Sequence, residues 1–251
     1  MVTFLELGRY GRLCNQMFQI AGTIGMAKKF GYDFAFPYWK NYDHAERFKS
    51  SEDIDIQSYF ENPLPLLEHT NFTKFKVPWG YHQLKILDNV SLHGHMQSEK
   101  YFMHCHKLVR HYFKMKNLSN IKIEKKSIAV HFRGGDYGDD YHPRMTMRYY
   151  ENALRNLPSD HKIYIFSDEI KTCRQMFGSN VEYVETDHYM KDLFLMQQCH
   201  HFVISNSTFA WWGAWLGLQP AKQVVAPAIW FGPAAKKLQT KDIYCFGWKI
   251  V

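Results

Sequence analysis

Cysteine is scarce in this chain of 251 residues: five, at positions 14, 105, 173, 199 and 245. An odd number with no close pair and no zinc-type spacing excludes a disulfide framework and a structural zinc site, and predicts reduced, mostly buried thiols. Long apolar runs are missing too. None approaches the roughly 18 residues of a membrane-spanning helix, and no signal-type segment precedes the first strand, so a cytoplasmic chain with no membrane span is expected. Lys and Arg number 31 against 24 Asp and Glu, a formal charge of +7, yet they are scattered in pairs such as Lys28/Lys29 and Lys236/Lys237. Without a concentrated basic helix, nucleic acid is not an expected partner, whereas a polyanion of small size would be steered by such a surface. Standard phosphate loops are absent as well: residues 8–16, GRYGRLCNQ, have neither Walker spacing nor GxGxxG.

What is present is concentrated in three runs. The first is HFRGGDY at 131–137, after the apolar stretch 127–130. Buried parallel strands deliver their C-terminal ends to the ligand crevice. Arg133 there offers a planar fork of donors matched to phosphate oxygens, while Gly134 and Gly135 let backbone turn sharply and come close. The alternative is a strand end whose Arg133 and Asp136 simply pair. The second run, VISNSTFAWWGAWL at 203–216, reads as strand, polar knot and helix start, placing hydroxyls and free N–H groups where an anion can sit. One of Ser205, Asn206, Ser207 and Thr208 is needed as a helix cap, and four exceed that need. Trp211, Trp212 and Trp215 read as core. The third run opens the chain: a strand at 2–7, a turn with Gly8 and Gly11, and a helix to residue 30 that aims Asn15 and Gln16 above the first strand.

Organisation is two-part, 1–120 and 121–251, with 117–126 as the linker. Residues 36–87 form an irregular stretch rich in Pro, Tyr and charge, suited to shaping an acceptor surface. A strand at 90–93 and a helix over 97–114 follow. The second half alternates strands at 127–132, 162–166, 181–184, 202–204 and 223–226 with helices at 146–156, 169–177, 190–198 and 208–217, which argues for a parallel sheet flanked by helices. An aromatic tail ends the chain.

Taken together, GRLCNQMF at 11–18, HFRGGDY at 131–137 and SNSTFAWWGAWL at 205–216, with GHMQSEKYF at 94–102 and FSDE at 166–169 in the same order, resemble the α-1,2-fucosyltransferases, inverting glycosyltransferases of family 11. The chain departs from that family at Gly134, where a second arginine is usual, and at Cys14, where glycine is. The resemblance implies an α/β fold of GT-B type, two Rossmann-like halves with a crevice between them. The first half would be the acceptor side, the second the GDP-sugar side. The activity implied is transfer of L-fucose from GDP-β-L-fucose to O2 of a terminal galactose in a glycan acceptor. The alternatives are a GDP-sugar transferase of different linkage and a catalytically silent binding module.

Arg133 is then the residue expected to offset charge growing on the leaving diphosphate. Gly11, His131, Asp168, Asn206, Ser207 and Thr208 are its expected companions at the donor. Asp168 could equally cap the helix at 169–177. Asp136 and Asp139 lead the candidates for a base acting on the acceptor, with a solvated acidic turn as the other reading of GDYGDDY. Asn15 is expected to orient the sugar or acceptor. No cofactor and no metal are expected: Asp53-Ile54-Asp55 has the letters of a metal-binding triplet but reads as a solvated turn.

Overall fold

The computed structural model describes residues 1–40 and 55–251. By internal contacts the chain forms two compact units, Met1–Lys116 with Lys241–Cys245, and Asn117–Thr240 with Phe246–Val251. Asp53 and Ile54 of the acidic triplet lie outside the described residues; Asp55 accepts a hydrogen bond from Ser58 N at 3.2 Å and caps a short 3-10 turn, Ile56–Tyr59.

In the first unit, β1 (Val2–Thr3) leads to α1 (Leu13–Phe30), followed by β2 (Thr73–Lys76), β3 (Val90–His93) and α2 (His106–Tyr112). The strands form a parallel sheet in the order β1-β3-β2. The expected strand over 2–7 stops at Thr3, because the chain turns: Leu7 N bonds Phe4 O and Arg9 N bonds Glu6 O. Gly8 and Gly11, at φ 82° and 81°, carry it through backbone that side chains disfavour. The helix consequently begins at Leu13, and Asn15 and Gln16 belong to its first turn.

Every residue of α1 from Leu13 to Ala27 except Asn15 is buried, the polar Gln16, Gln19 and Thr23 included. Its close neighbour is the segment after β3, which is not the single helix expected over 97–114. Two 3-10 turns, Glu99–Tyr101 and Met103–Cys105, come first, and only then α2. A Cβ on Gly25 of α1 would lie 2.7 Å from the carbonyl carbon of Tyr101, so backbone packs on backbone there. β2 is a strand that periodicity did not reveal: an exposed edge, TKFK, that pairs in register with β3.

In the second unit, β4 (Ser127–Phe132), α3 (Met147–Leu154), β5 (Lys162–Ser167), α4 (Ile170–Phe177), β6 (Glu182–Tyr183), α5 (Tyr189–Met196), β7 (His201–Val203), α6 (Thr208–Leu216), β8 (Val224–Ala226) and β9 (Lys249–Ile250) follow in sequence. The sequence-based elements agree to within one or two residues at most ends. The exception is β9, formed where only an aromatic tail was expected, because Ala228 N and Val251 N bond Val251 O and Ala226 O. All six strands are parallel, in the order β6-β5-β4-β7-β8-β9. The connection reverses between β4 and β7, and at such a switch point the C-terminal ends of neighbouring strands leave a ligand crevice.

One core cluster of this unit joins Ile128, Val130 and Phe132 of β4 to Tyr150, Ala153, Ile165, Cys173, Val203 and Val225. Trp211, Trp212 and Trp215 are buried and pack on one another, and four of the five cysteines are buried and all are free. Among the described residues no helix is long and apolar enough to cross a membrane.

Candidate active site

The switch point of the second unit carries the expected motif. Arg133 leaves the end of β4 and is held at both tips: Nη1 lies 2.6 Å from Asp168 Oδ2 and Nη2 2.5 Å from Asp136 Oδ1. Its charged plane sits over the Tyr137 ring, 5.5 Å from the centroid. The pairing with Asp136 is therefore real, but it is half of a clamp. Asp168, at the end of β5, supplies the other half and also accepts Gly134 N at 2.9 Å. It does not cap the next helix; Glu169 is the residue at that position.

The two glycines answer to these acids. A Cβ on Gly135 would lie 2.5 Å from Asp168 Oδ2, and one on Gly134 would lie 2.5 Å from Glu169 Oε2. Where a residue-134 side chain would stand, the Glu169 carboxylate stands instead, held by Arg144 Nη2 at 3.2 Å and Thr172 Oγ1 at 3.1 Å. Arg144 also donates to Tyr137 O at 2.7 Å, so a second guanidinium braces the same turn from outside.

His131 is 4% exposed and its Nδ1 lies 2.8 Å from Ser205 Oγ, across the switch point. Burial lowers its pKa to about 4; Arg133 pushes the same way and Asp168 opposes, which leaves the ring neutral at neutral pH. The polar knot has divided labour. Ser205 meets His131, and Ser207 Oγ caps α6 by accepting Phe209 N at 3.3 Å. Asn206 Nδ2 donates to Pro143 O and Trp230 O, both at 3.0 Å, while its Oδ1 is buried with no partner among the described residues. Thr208, half-buried, opens α6. After β6, Asp192 accepts from Thr186 Oγ1 at 2.7 Å, and burial pushes its carboxyl up to about 6.

The two acids expected as bases are otherwise employed. Asp136 is paired to Arg133. Asp139 accepts Tyr141 N at 3.0 Å and His142 N at 2.5 Å, and those bonds, the His142 one foremost, hold its carboxyl below the usual range, which makes a weak proton acceptor.

Gly11 and Asn15 stand together in the first unit. A Cβ on Gly11 would lie 2.7 Å from Asn15 Cβ, and Asn15 Oδ1 accepts from Gln97 Nε2 at 2.9 Å, joining two of the motif runs. Next to them is a group that sequence reasoning missed. Glu6, Tyr10, Trp79, His93 and His95 gather at and beyond the end of β3; the one-residue spacing of His93 and His95 was the available signal.

Among the described residues, one group could hold a metal by proximity, His161, His200 and His201, whose ligand atoms lie within 4.8 Å of one another. It sits at the N-terminal ends of β5 and β7, the edge opposite Arg133. His201 Nδ1 accepts Gln223 N at 3.0 Å, which keeps the ring proton on Nε2 and removes that nitrogen as a ligand.

Comparison with known proteins gives the family and the fold. The family model described as Glycosyl transferase family 11 matches residues 7–251. An O-antigen biosynthesis glycosyltransferase, WbnK of Escherichia coli, is 35% identical over 147 residues, which are 50% of this chain and 49% of that protein. An alpha-1,2-colitosyltransferase of Escherichia coli is 30% identical over 164 residues, 57% of each chain. The matched stretch thus spans only about half the length of these relatives. Among solved structures, POFUT1 in complex with GDP-fucose is similar with a TM-score of 0.51 at 12% identity, over 90% of this chain and 97% of that one. That likeness speaks for the fold, which is α/β of GT-B type with parallel sheets.

Proposed function

The chain belongs to glycosyl transferase family 11, and from that premise we propose that it transfers L-fucose from GDP-β-L-fucose to O2 of a terminal galactose in a glycan, with inversion. The observation that carries this reading is the Arg133 clamp at the switch point. A guanidinium fixed at both tips needs no reorganisation as charge grows on a departing diphosphate, which is what transition-state stabilisation requires. Asp136 and Asp168 hold it in place. Backbone N–H groups at the start of α6, with Ser207 and Thr208, take further phosphate oxygens. His131 serves the donor as a neutral hydrogen-bonding ring, and the unpartnered Asn206 Oδ1 accepts from a donor hydroxyl or amine. Gly11 and Asn15 present an amide that orients the sugar or its acceptor. No metal or cofactor takes part in this scheme; Arg133 and the helix terminus supply the positive charge.

A different donor sugar is the second reading. The relative named an alpha-1,2-colitosyltransferase and the Glu169 carboxylate beside Gly134 both favour it. The test is incubation with GDP-β-L-fucose, with and without a lactose-type acceptor, following GDP release and product linkage by NMR. An α-1,2-linked product is expected, unchanged by EDTA. Intact donor after incubation would count against fucose, and loss of turnover in EDTA rescued by magnesium or manganese would overturn the metal-free scheme.

A further inference from the structure

Two acids follow one another at the end of β5, and each holds a guanidinium. Asp168 takes Arg133, and Glu169 takes Arg144, with Oε1 3.2 Å from Nη2. Arg144 lies outside the motif runs, in the segment that leads into α3, and its backbone is fixed on both sides. Pro143 O accepts from the buried Asn206, and Met145 belongs to the core cluster. From that base the side chain reaches back to the turn that carries Arg133. Nε donates to Tyr137 O at 2.7 Å, and Nη2 stands 3.5 Å from Gly135 O. Gly138, at φ 121°, leaves the room, since a Cβ there would lie 3.2 Å from Arg144 Nε. Glu169 is itself fixed, its Oε2 accepting from Thr172 Oγ1 at 3.1 Å and its backbone N donating to Ser167 Oγ at 2.9 Å.

The turn between these two arginines decides where the Arg133 fork points. Tyr137 carries the Arg133 guanidinium on its ring, 5.5 Å from the centroid, and Arg144 grips that same residue by its carbonyl. The ring is also held by His142, stacked at 4.7 Å, and by the bond from its hydroxyl to Asn206 O at 3.1 Å. Gly134 and Gly135 have no side chains with which to fix the turn, and backbone of that kind is the most permissive in the chain. Its rigidity is supplied from outside, by Asp168 at Gly134 N and by Arg144 at the carbonyls of Gly135 and Tyr137. Charge works in the same direction. Without Arg144, an unneutralised Glu169 carboxylate would stand beside Gly134 and repel a diphosphate bound at Arg133.

We propose that Arg144 is a positioning residue for sugar transfer: anchored on Glu169, it fixes the 133–137 turn so that Arg133 presents its fork to the leaving diphosphate. The proposal rests on the transferase reading above, and its residues all belong to the second unit. In this role Arg144 touches no reacting atom. Its effect on rate passes through Arg133, whose charge acts on the departing diphosphate only as well as it is preorganised. A misplacement of about 1 Å is enough to cost on the order of 100-fold in rate. The plainer alternative is that the pair with Glu169 serves stability alone, but an ion pair at 42% and 28% exposure contributes little to that.

The experiment is a double-mutant cycle on the full chain: wild type, Arg144→Gln, Arg133→Lys and the two together. Each is read by thermal melting, by calorimetric GDP affinity and by kcat for GDP release at saturating acceptor. Arg144→Gln is expected to lower kcat by about 10- to 100-fold and to weaken GDP binding by about tenfold. Its Tm should stay within about 4 °C of wild type. The double variant is expected to lose no more than about threefold beyond the worse single one, because a fork already lost cannot be misplaced again. A residue that only braced the fold would give losses that multiply, in step with Tm. Arg144→Lys keeps a charge that reaches Glu169 or the turn's carbonyls but not both, and it enters the same cycle where Arg144→Gln melts early. Multiplying losses, or a folded Arg144 variant within about threefold of wild type in kcat, would overturn the proposal. With a donor that carries another sugar, the same non-additivity is read in GDP affinity. A wild-type protein that binds no GDP and transfers no sugar would bring down the transferase reading and the proposal with it.

Discussion

Replacing Arg133 by lysine keeps the charge and removes the fork. In the structure one planar group reaches Asp168 at 2.6 Å and Asp136 at 2.5 Å on opposite sides. An ammonium is a compact charge that reaches one carboxylate or the other, and it cannot present two parallel donors to phosphate. Two magnitudes then separate. Asp136 is 47% exposed and Asp168 28% exposed, so the lost pairing is mostly of the surface kind and lowers stability by about 1 kcal/mol or less. In a chain of this size that is a fall of about 2–4 °C in Tm. A charge-assisted hydrogen bond to the leaving group is worth about 1.5–3 kcal/mol, which is a fall of roughly 10- to 150-fold in kcat. Initial rates of GDP release at saturating acceptor, beside a melting curve, measure both. The reasoning is refuted by a lysine variant that keeps more than a third of the wild-type rate, or by one whose lost activity is matched by a collapse in Tm.

Two further outcomes are expected. Gly25→Ala should destabilise the protein by about 1–3 kcal/mol in urea titrations although alanine is the better helix former by about 1 kcal/mol, because its Cβ meets Tyr101 and Phe102 backbone that cannot step aside. Gly22→Ala, which meets the flexible Met96 side chain, should cost much less, and a ranking in the other order would disprove the backbone contact. Stability should also fall as pH drops from about 6.5 towards 4. His131 and His201 both have folded values lowered to about 4, each chiefly by burial, so the unfolded chain takes protons that the folded one resists. For His131 the loss at pH 5 is on the order of 2 kcal/mol, and Asp192, raised to about 6, offsets part of it. Equal urea midpoints at pH 7.5 and pH 5 would contradict this.

The alternation of the second unit was legible because short β-branched runs and amphipathic helices carry their periods locally, and β4 to α6 form within a residue or two of where those periods place them. The three tryptophans and the free thiols were legible for the same reason: apolar side chains in such runs have nowhere else to go. Arg133 was legible as a residue, and its partners only in part. Asp136 is three positions away in the sequence, whereas Asp168 is brought to Arg133 by the pairing of β4 with β5.

The sequence alone settled which residues form the strands and helices of the second unit, since each element is specified by its own neighbours. Tertiary structure decided the rest. The strand order β6-β5-β4-β7-β8-β9 puts His131 against Ser205, 74 positions apart, and no local period encodes that. β2 and β9 exist only because a partner strand satisfies their backbone groups. The segment after β3 is broken into 3-10 turns where it packs on Gly25 rather than by any propensity of its own. Glu6, Lys74 and His93 are unremarkable letters until three parallel strands lie side by side, because electrostatic and hydrogen-bonded groups act over a few ångströms of space and not over positions in the chain.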